Sequence, residues 1–327
     1  MLVITGSSGL LGSCVAKEAQ RRGIPFRALV REGRAAALTS IGIDRASIVE
    51  ADIFDVPALL KAFDGADVVV HCAALVSFNP RHKKKIFDTN VGGTGNVVNC
   101  CLQQGVRKLV HVSSVAAFGR QKLAASIDES TGWMPGIKQT HYSESKYLAE
   151  LEVYRGMEEG LQISLINPSV ILAAANGYRS SSRFFSAVWS ELPFFADFAI
   201  CYVDARDVVE MIMKLANGNN NGERYIASAG QISVGSLLKH IALRVQKRPP
   251  TIKLRGRLLD AFAATEDFRS WLTGSAPILS RQSLMLLKDS ATFDNTKART
   301  QLGIEFRTLE NTLDWCCSEF LNFTTNK

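Results

Sequence analysis

Short apolar stretches recur through the first half of the chain, separated by segments in which apolar positions return every three or four residues. Leu2 to Ile4, Phe26 to Val30, Ala66 to Cys72, Lys108 to Ser113 and Ile163 to Ile166 are rich in Val, Ile and Leu and read as strands buried on both faces. Ser13 to Arg22, Val56 to Phe63, Gly92 to Gln104 and Ser143 to Glu159 read as helices between them. Such alternation predicts a parallel sheet covered on both sides. Right-handed crossovers then bring the carboxyl ends of all its strands to one edge, where open α/β sheets bind ligands. Past Pro168 the regularity fails. Gly177 to Ser182 is loop-like, Phe184 to Phe198 is aromatic-rich, and only Cys201 to Leu215 returns to a strand followed by a helix.

The first strand runs directly into Thr5-Gly6-Ser7-Ser8-Gly9-Leu10-Leu11-Gly12. Gly6 allows a sharp turn out of the strand, Gly9 allows backbone to approach a pyrophosphate, and Gly12 allows the next helix to pack closely. Free N–H groups and the positive dipole end of that helix favour an anion. The spacing therefore predicts a dinucleotide pocket, with Ser8, Leu10 and Leu11 in the same turn. It also completes the predicted fold class, an α/β chain with a Rossmann-type doubly wound parallel sheet and a smaller, discontinuous substrate-binding part. Residues 1–168, with 199–217 returning, form the dinucleotide domain; 169–198 and 218–327 form the rest.

About 20 residues past that turn, where the ribose of a dinucleotide is met, the second strand ends in Arg31-Glu32-Gly33-Arg34. Guanidinium groups pair with a 2′-phosphate through charge-assisted bonds, so Arg31 with Arg34 favours NADP(H). Glu32 would accept from a free ribose diol if the strand ended one residue later, which leaves NAD(H) open.

Tyr142 and Lys146 lie one helical turn apart, on one face. Lowering a phenol from a pKa of about 10 to about 7 takes roughly 4 kcal/mol, and a unit charge about 4 Å away at an effective dielectric near 20 supplies a similar amount. The spacing predicts that Lys146 acidifies Tyr142. Ser113-Ser114 ends the apolar strand before them and puts a hydroxyl at the sheet edge.

Bulk properties narrow the classes. With 327 residues, 46% of them hydrophobic, the chain is long enough for one large α/β unit or two unequal domains. No apolar run approaches the roughly 20 residues of a membrane span, and the opening apolar stretch breaks at Gly6, too early for a signal-peptide core. A cytoplasmic protein with no membrane partner is expected. The seven cysteines have no metal-type spacing and the five histidines are scattered, so free thiols and no metal are expected. The net charge of +7 comes largely from Arg81 to Lys85 and from Arg244 to Arg257. Neither run is interleaved with aromatics, so each reads as a solvated face and no nucleic-acid partner is expected.

Several further segments join these: Asp52-Ile53, His71-Cys72-Ala73-Ala74, Asn90-Val91-Gly92-Gly93-Thr94, Ser113-Ser114-Val115-Ala116-Ala117-Phe118-Gly119, Asn167-Pro168-Ser169-Val170, Tyr202 to Val208, and Phe293 to Ala298 with Leu302-Gly303. Together with the glycine turn and the Tyr142/Lys146 pair, they resemble the extended short-chain dehydrogenases/reductases, also called the NAD-dependent epimerase/dehydratase family, over most of the chain. The resemblance implies that Asp52 and Ile53 bracket an adenine and that Ala73 and Ala74 lie under the nicotinamide ribose. It places Pro168, with Val170 in the same stretch, beside the carboxamide. Ser114 would hold the substrate oxygen, Tyr142 would exchange its proton, Lys146 would bind ribose hydroxyls, and Asn90 would lie near that proton path.

Dehydratases of the family carry threonine followed by Asp-Glu where this chain has Ser114-Val115-Ala116, which leaves no acid/base pair for eliminating water. Epimerases commonly show tyrosine at the position of Phe118 and a V-Y-G continuation where this chain reads Val170-Ile171-Leu172-Ala173. Arg179, Arg183 and Arg206 could still clamp a diphosphate. The stretch Ala73 to Phe78 is more similar to the dihydroflavonol-reductase-like and 3β-hydroxysteroid-dehydrogenase-like branch. Phe184, Phe185, Trp189, Phe194, Phe195 and Phe198 would suit a flat apolar substrate, or form plain core or a homodimer seam. Reversible hydride transfer to a small-molecule carbonyl is the leading expectation. Epimerisation of a nucleotide sugar with tightly held NAD, and a sensor that binds NADP(H) without chemistry, stand as alternatives.

Overall fold

The computed structural model describes residues 1–77, 79–119, 126–137, 139–173, 181–273 and 291–325. Its centre is a seven-stranded sheet of β1 (Leu2–Thr5), β2 (Phe26–Val30), β3 (Ile48–Glu50), β4 (Val68–His71), β5 (Lys108–Val112), β6 (Gln162–Pro168) and β7 (Glu223–Ala227). All neighbours are parallel, in the order β7-β6-β5-β4-β1-β2-β3. The winding direction reverses between β1 and β4, which opens a crevice at the carboxyl edge.

Alternate residues of each strand feed two separate cores. Leu2, Ile4, Val68, Val70 and Val110 meet the helices Leu10–Arg21 and Ala205–Asn217. Val3, Val69, Leu109, Ile163 and Leu165 meet the helices Val56–Phe63, Gly93–Gln103 and His141–Glu158. Both faces are thus sealed, as parallel sheets require. Side chains start several of the helices: Asp55 accepts from the Ala58 N–H at 3.0 Å, Thr140 from Ser143 at 3.0 Å and Asp204 from Arg206 at 2.8 Å.

The remaining chain builds a smaller body on a three-stranded sheet of Val170–Leu172, Ala199–Asp204 and Gly230–Ser233. Helices Ser182–Trp189, Val234–Arg244 and Leu309–Thr325 cover it around Phe185, Leu237, Ile241 and Cys316.

The chain crosses between the two bodies more often than the sequence pattern predicts. Strand β7 and the helix Thr296–Leu302, both inside the stretch assigned to the smaller part, complete the large sheet and its lower core through Tyr225, Ala227, Ala298 and Leu302. Strand Ala199–Asp204, assigned to the larger part, pairs in the small sheet. The polar Glu223-Arg224 start disguises β7, yet without it the edge of β6 would present unpaired backbone to solvent.

Candidate functional site

Strands β1 to β6 of the large sheet each deliver a piece of the site at or just past the carboxyl end. At β1, Gly6 takes a positive φ of 68°, and a Cβ there would lie 2.6 Å from the Ala73 backbone N and Cα. A Cβ on Gly12 would fall on the Gly6 carbonyl, and one on Gly9 would come within 3.1 Å of the same oxygen. The Gly9 N–H donates to that carbonyl at 2.9 Å and closes the turn. Ser8 and Gly9 are exposed, Leu10 is half-buried, and Leu11 and Gly12 are buried. The helix Leu10–Arg21 has no side-chain cap and no acidic residue in its first turn. The cradle therefore fits a phosphate, with backbone N–H groups facing outward and no carboxylate to repel it.

Beyond β2 and β3 the site opens into a groove lined by Arg31, Glu32, Arg34, Glu50, Ala51, Asp52 and Asp55. The Arg34 N–H donates to the Arg31 carbonyl at 3.0 Å, so both guanidinium groups sit on one tight turn. Neither is in an ion pair among the described residues. Asp52 spends one carboxylate oxygen on the Phe54 N–H at 3.0 Å. Ile53 is held by Asn96, which no sequence motif marks, and by Gly93. The Asn96 amide donates to its carbonyl at 3.0 Å, and Gly93 leaves the space its Cδ1 fills. The adjacent glycines Gly92-Gly93 within a helical stretch are the signal the sequence carries for that close approach.

After β4, the loop with Ala73 and Ala74 is pinned from both sides. The Ala73 N–H reaches Thr5 Oγ1 at 3.4 Å. The Asn90 side chain accepts from the Leu75 N–H at 2.7 Å and donates to the Leu75 carbonyl at 3.1 Å and to Ser145 Oγ at 2.9 Å. Asn90 lies in a π-helical turn, Asp88–Gly92, where the helix carries an extra residue. Its amide is thereby fully engaged in tying the loop to the helix His141–Glu158. Ser145 Oγ in turn donates to the Tyr142 carbonyl at 2.8 Å.

Ser114 follows β5 and caps the short turn Val115–Phe118, its Oγ accepting from the Ala116 N–H at 3.2 Å. The Tyr142 hydroxyl hydrogen-bonds the Ser114 side chain, and burial raises the phenol above its ordinary pKa against that bond. Lys146 is buried, and its Nζ donates to the Val112 carbonyl at 3.0 Å. Burial lowers this ammonium to about 8, opposed by Glu150 and Cys72. The predicted acidification of Tyr142 by Lys146 is therefore not the arrangement observed. The amine is drawn to the end of β5, and burial keeps the phenol protonated.

Beneath Lys146 lie two buried imidazoles in register on neighbouring strands, His71 and His111, with ring centroids 5.2 Å apart. His71 bridges Thr5 Oγ1 at 2.7 Å and Thr94 Oγ1 at 3.0 Å. Burial, helped by Lys146, pushes His71 down to about 3 and His111 well below its ordinary value.

Pro168 ends β6 and is buried, while Val170 is half-buried and pairs with Tyr202 in the small sheet. The aromatic run turns inward. Phe185 is wholly buried, Phe320 lies 5.9 Å from its ring centroid and 5.8 Å from that of Trp189, and Phe184, Phe195 and Phe198 pack on the same core. Core, rather than a flat substrate wall, is what those residues build; Phe194 alone of them is half exposed. Arg206 is held by Asp204 at 2.6 Å and lies over the Trp315 ring at 4.5 Å, so it is engaged within the small body. Arg179 and Phe78 lie outside the described residues. Among the described residues no group of three His, Cys, Asp or Glu could hold a metal ion, and no helix is long and apolar enough to cross a membrane.

Comparison with known proteins agrees with this layout. The family model of the NAD dependent epimerase/dehydratase family matches residues 2–228. Sterol demethylase protein B of Methylococcus capsulatus is 27% identical over 310 residues, covering 92% of each chain. A putative dihydroflavonol 4-reductase of Synechocystis is 25% identical over 319 residues, covering 95% of this chain and 91% of its own. Among solved structures, that of gox2253 superposes with a TM-score of 0.82 at 26% identity, covering 98% of both chains.

Proposed function

The chain belongs to the NAD dependent epimerase/dehydratase family, and from that premise we propose that it is an NADP(H)-dependent oxidoreductase acting on a carbonyl, or the corresponding secondary alcohol, of a largely apolar small molecule. The observation that carries the reading is the hydrogen bond between the Tyr142 and Ser114 hydroxyls, one helical turn from the Lys146 ammonium and at the same sheet edge as the glycine cradle. Relatives described as a dihydroflavonol 4-reductase and a sterol demethylase protein favour an apolar substrate over a charged sugar nucleotide.

Gly6, Gly9 and Gly12 with the uncapped helix start would hold the pyrophosphate, Asp52 and Ile53 the adenosine, and Ala73, Ala74, Lys146, Pro168 and Val170 the nicotinamide end. Arg31 and Arg34, which make no ion pair among the described residues, favour a 2′-phosphate; Glu32 in the same groove keeps NAD(H) as the rival. When bound, the reduced nicotinamide supplies a hydride to the carbonyl carbon. Ser114 and Tyr142 orient and polarise the carbonyl oxygen, and Tyr142, kept protonated by burial, gives its proton to the developing alkoxide. Lys146, fixed against Val112, provides a positive charge beside that exchange. Most of what the chain contributes is positioning.

A panel of aromatic and alicyclic ketones with NADPH, followed at the nicotinamide absorbance, tests the assignment. Stoichiometric cofactor oxidation is expected, with kcat of Tyr142→Phe lower by about 10²- to 10⁴-fold. Turnover of a nucleotide sugar without net cofactor consumption would instead mark an epimerase, and full activity in Tyr142→Phe would remove the proposed acid.

A further inference from the structure

Behind Ser114, on the side away from the cradle, lies a buried polar network that the reaction above does not use. Asn167, near the end of β6, donates from its side-chain amide to the Ser114 carbonyl at 3.0 Å and to Glu150 Oε1 at 2.6 Å. Glu150 stands one turn beyond Lys146 on the same helix and is 2% exposed. Its other oxygen accepts from Arg224 Nη1, on β7, at 3.2 Å. Arg224 also donates from Nη2 to the Glu129 and Thr131 carbonyls at 2.8 and 2.9 Å, and its guanidinium lies 4.2 Å over the Phe118 ring. Phe118 belongs to the turn that Ser114 caps.

A buried carboxylate is costly unless paired and hydrogen-bonded, and this one is both. Its partners are also informative. They reach the Ser114 turn twice, once through Asn167 to its first carbonyl and once through Arg224 to its last ring. Glu150 itself rides on the helix that carries Tyr142. We propose that Glu150, Asn167 and Arg224 are positioning residues that set the separation between the Ser114 and Tyr142 hydroxyls, with Asn167 as the direct link. The three come from one helix and two strands, so the network fixes the serine turn to the tyrosine helix without touching substrate. Glu150 has a second effect, because among the charged and titratable groups around Lys146, namely His71, His111, Cys72 and Glu150, it is the one whose charge favours the ammonium most.

This inference rests on the assignment of Ser114, Tyr142 and Lys146 above, so Tyr142→Phe is measured alongside. In the full chain with NADPH and a reducible ketone, Asn167→Ala should lower kcat by about 100-fold while KM for the cofactor stays within about twofold, since a misplacement of about 1 Å costs that much. Asn167→Ser, which keeps one donor, should recover part of the loss. Glu150→Gln retains an oxygen for Asn167 but removes the charge, so kcat should fall less and the alkaline limb of its pH profile should move to lower pH. A role in stability alone would lower the melting temperature of these variants and leave kcat and the alkaline limb in place; that result overturns the proposal. Should Asn167→Ala fail to fold, an unchanged kcat and limb in Glu150→Gln overturns it equally. If Tyr142→Phe is fully active, the functional assignment fails first, and the two failures are told apart.

Discussion

The two bodies of the molecule hold their shape by different means. In the large one, the site is assembled at successive strand ends: Gly6 after β1, Arg31 after β2, Asp52 after β3, Ala73 after β4, Ser114 after β5 and Pro168 at β6. Their placement follows from backbone register and from close approaches, such as that of Gly6 to Ala73, which no side-chain choice can replace. The small body is knitted by side chains far apart in sequence, with Phe185 and Trp189 meeting Phe320 of the last helix. Backbone-determined geometry suits the part that must hold one cofactor. Side-chain packing lets the shape of a body vary, because volume-conserving exchanges in a core are tolerated.

The difference can be broken most sharply in the small core. Phe185→Ala empties a fully buried site and should cost about 3–5 kcal/mol of stability by chemical denaturation, while cofactor affinity of the folded fraction stays unchanged. A parallel loss of cofactor affinity would mean that the two bodies are energetically one.

Acid should act on the other side of the comparison. His71, buried in the large body and pushed down to about 3, stays neutral in the folded chain, whereas the unfolded chain protonates it near its ordinary value of about 6.5. Stability is therefore unaffected above that value and falls as pH drops below it, by about 2 kcal/mol between pH 6.5 and pH 5, with His111 adding in the same direction. The single histidine of the small body, His240, is only half-buried. Denaturation curves at pH 7 and pH 5 read the effect, and His111→Phe should flatten the dependence.

The smallest effect separates the groove from the cradle. Arg31→Ala should raise KM for NADPH by about tenfold and leave KM for NADH nearly unchanged, as expected for loss of an exposed charge-assisted contact. Equal effects on both cofactors would assign Arg31 to general binding and return the preference to Glu32.

The large body was legible because its signals are local. A strand followed by three glycines, and a tyrosine four residues before a lysine, state their geometry within a dozen residues. What escaped was long-range. Strand β3 is three residues ending in Glu50 and β7 opens on Glu223-Arg224, so neither shows the apolar run of a buried strand. Lys146 was expected to serve Tyr142 because spacing along a helix was all the sequence offered; the Val112 carbonyl that accepts its hydrogen bond lies 34 residues away. The Glu150, Asn167 and Arg224 network spans three elements, and the aromatics of 184–198 revealed their partner only when the last helix packed on them.

The extra residue in the turn Asp88–Gly92 sets the phase of the helix around it. Ile86 before it and Asn90 within it are both almost fully buried, and Asn90 clamps the loop at Leu75. A regular helix of the same length, with no wide turn to absorb the extra residue, would rotate everything after it by about 100° relative to what precedes it. The bulge thus acts as a phase corrector, letting one continuous rod keep Ile86 inside and still set a polar latch at Asn90.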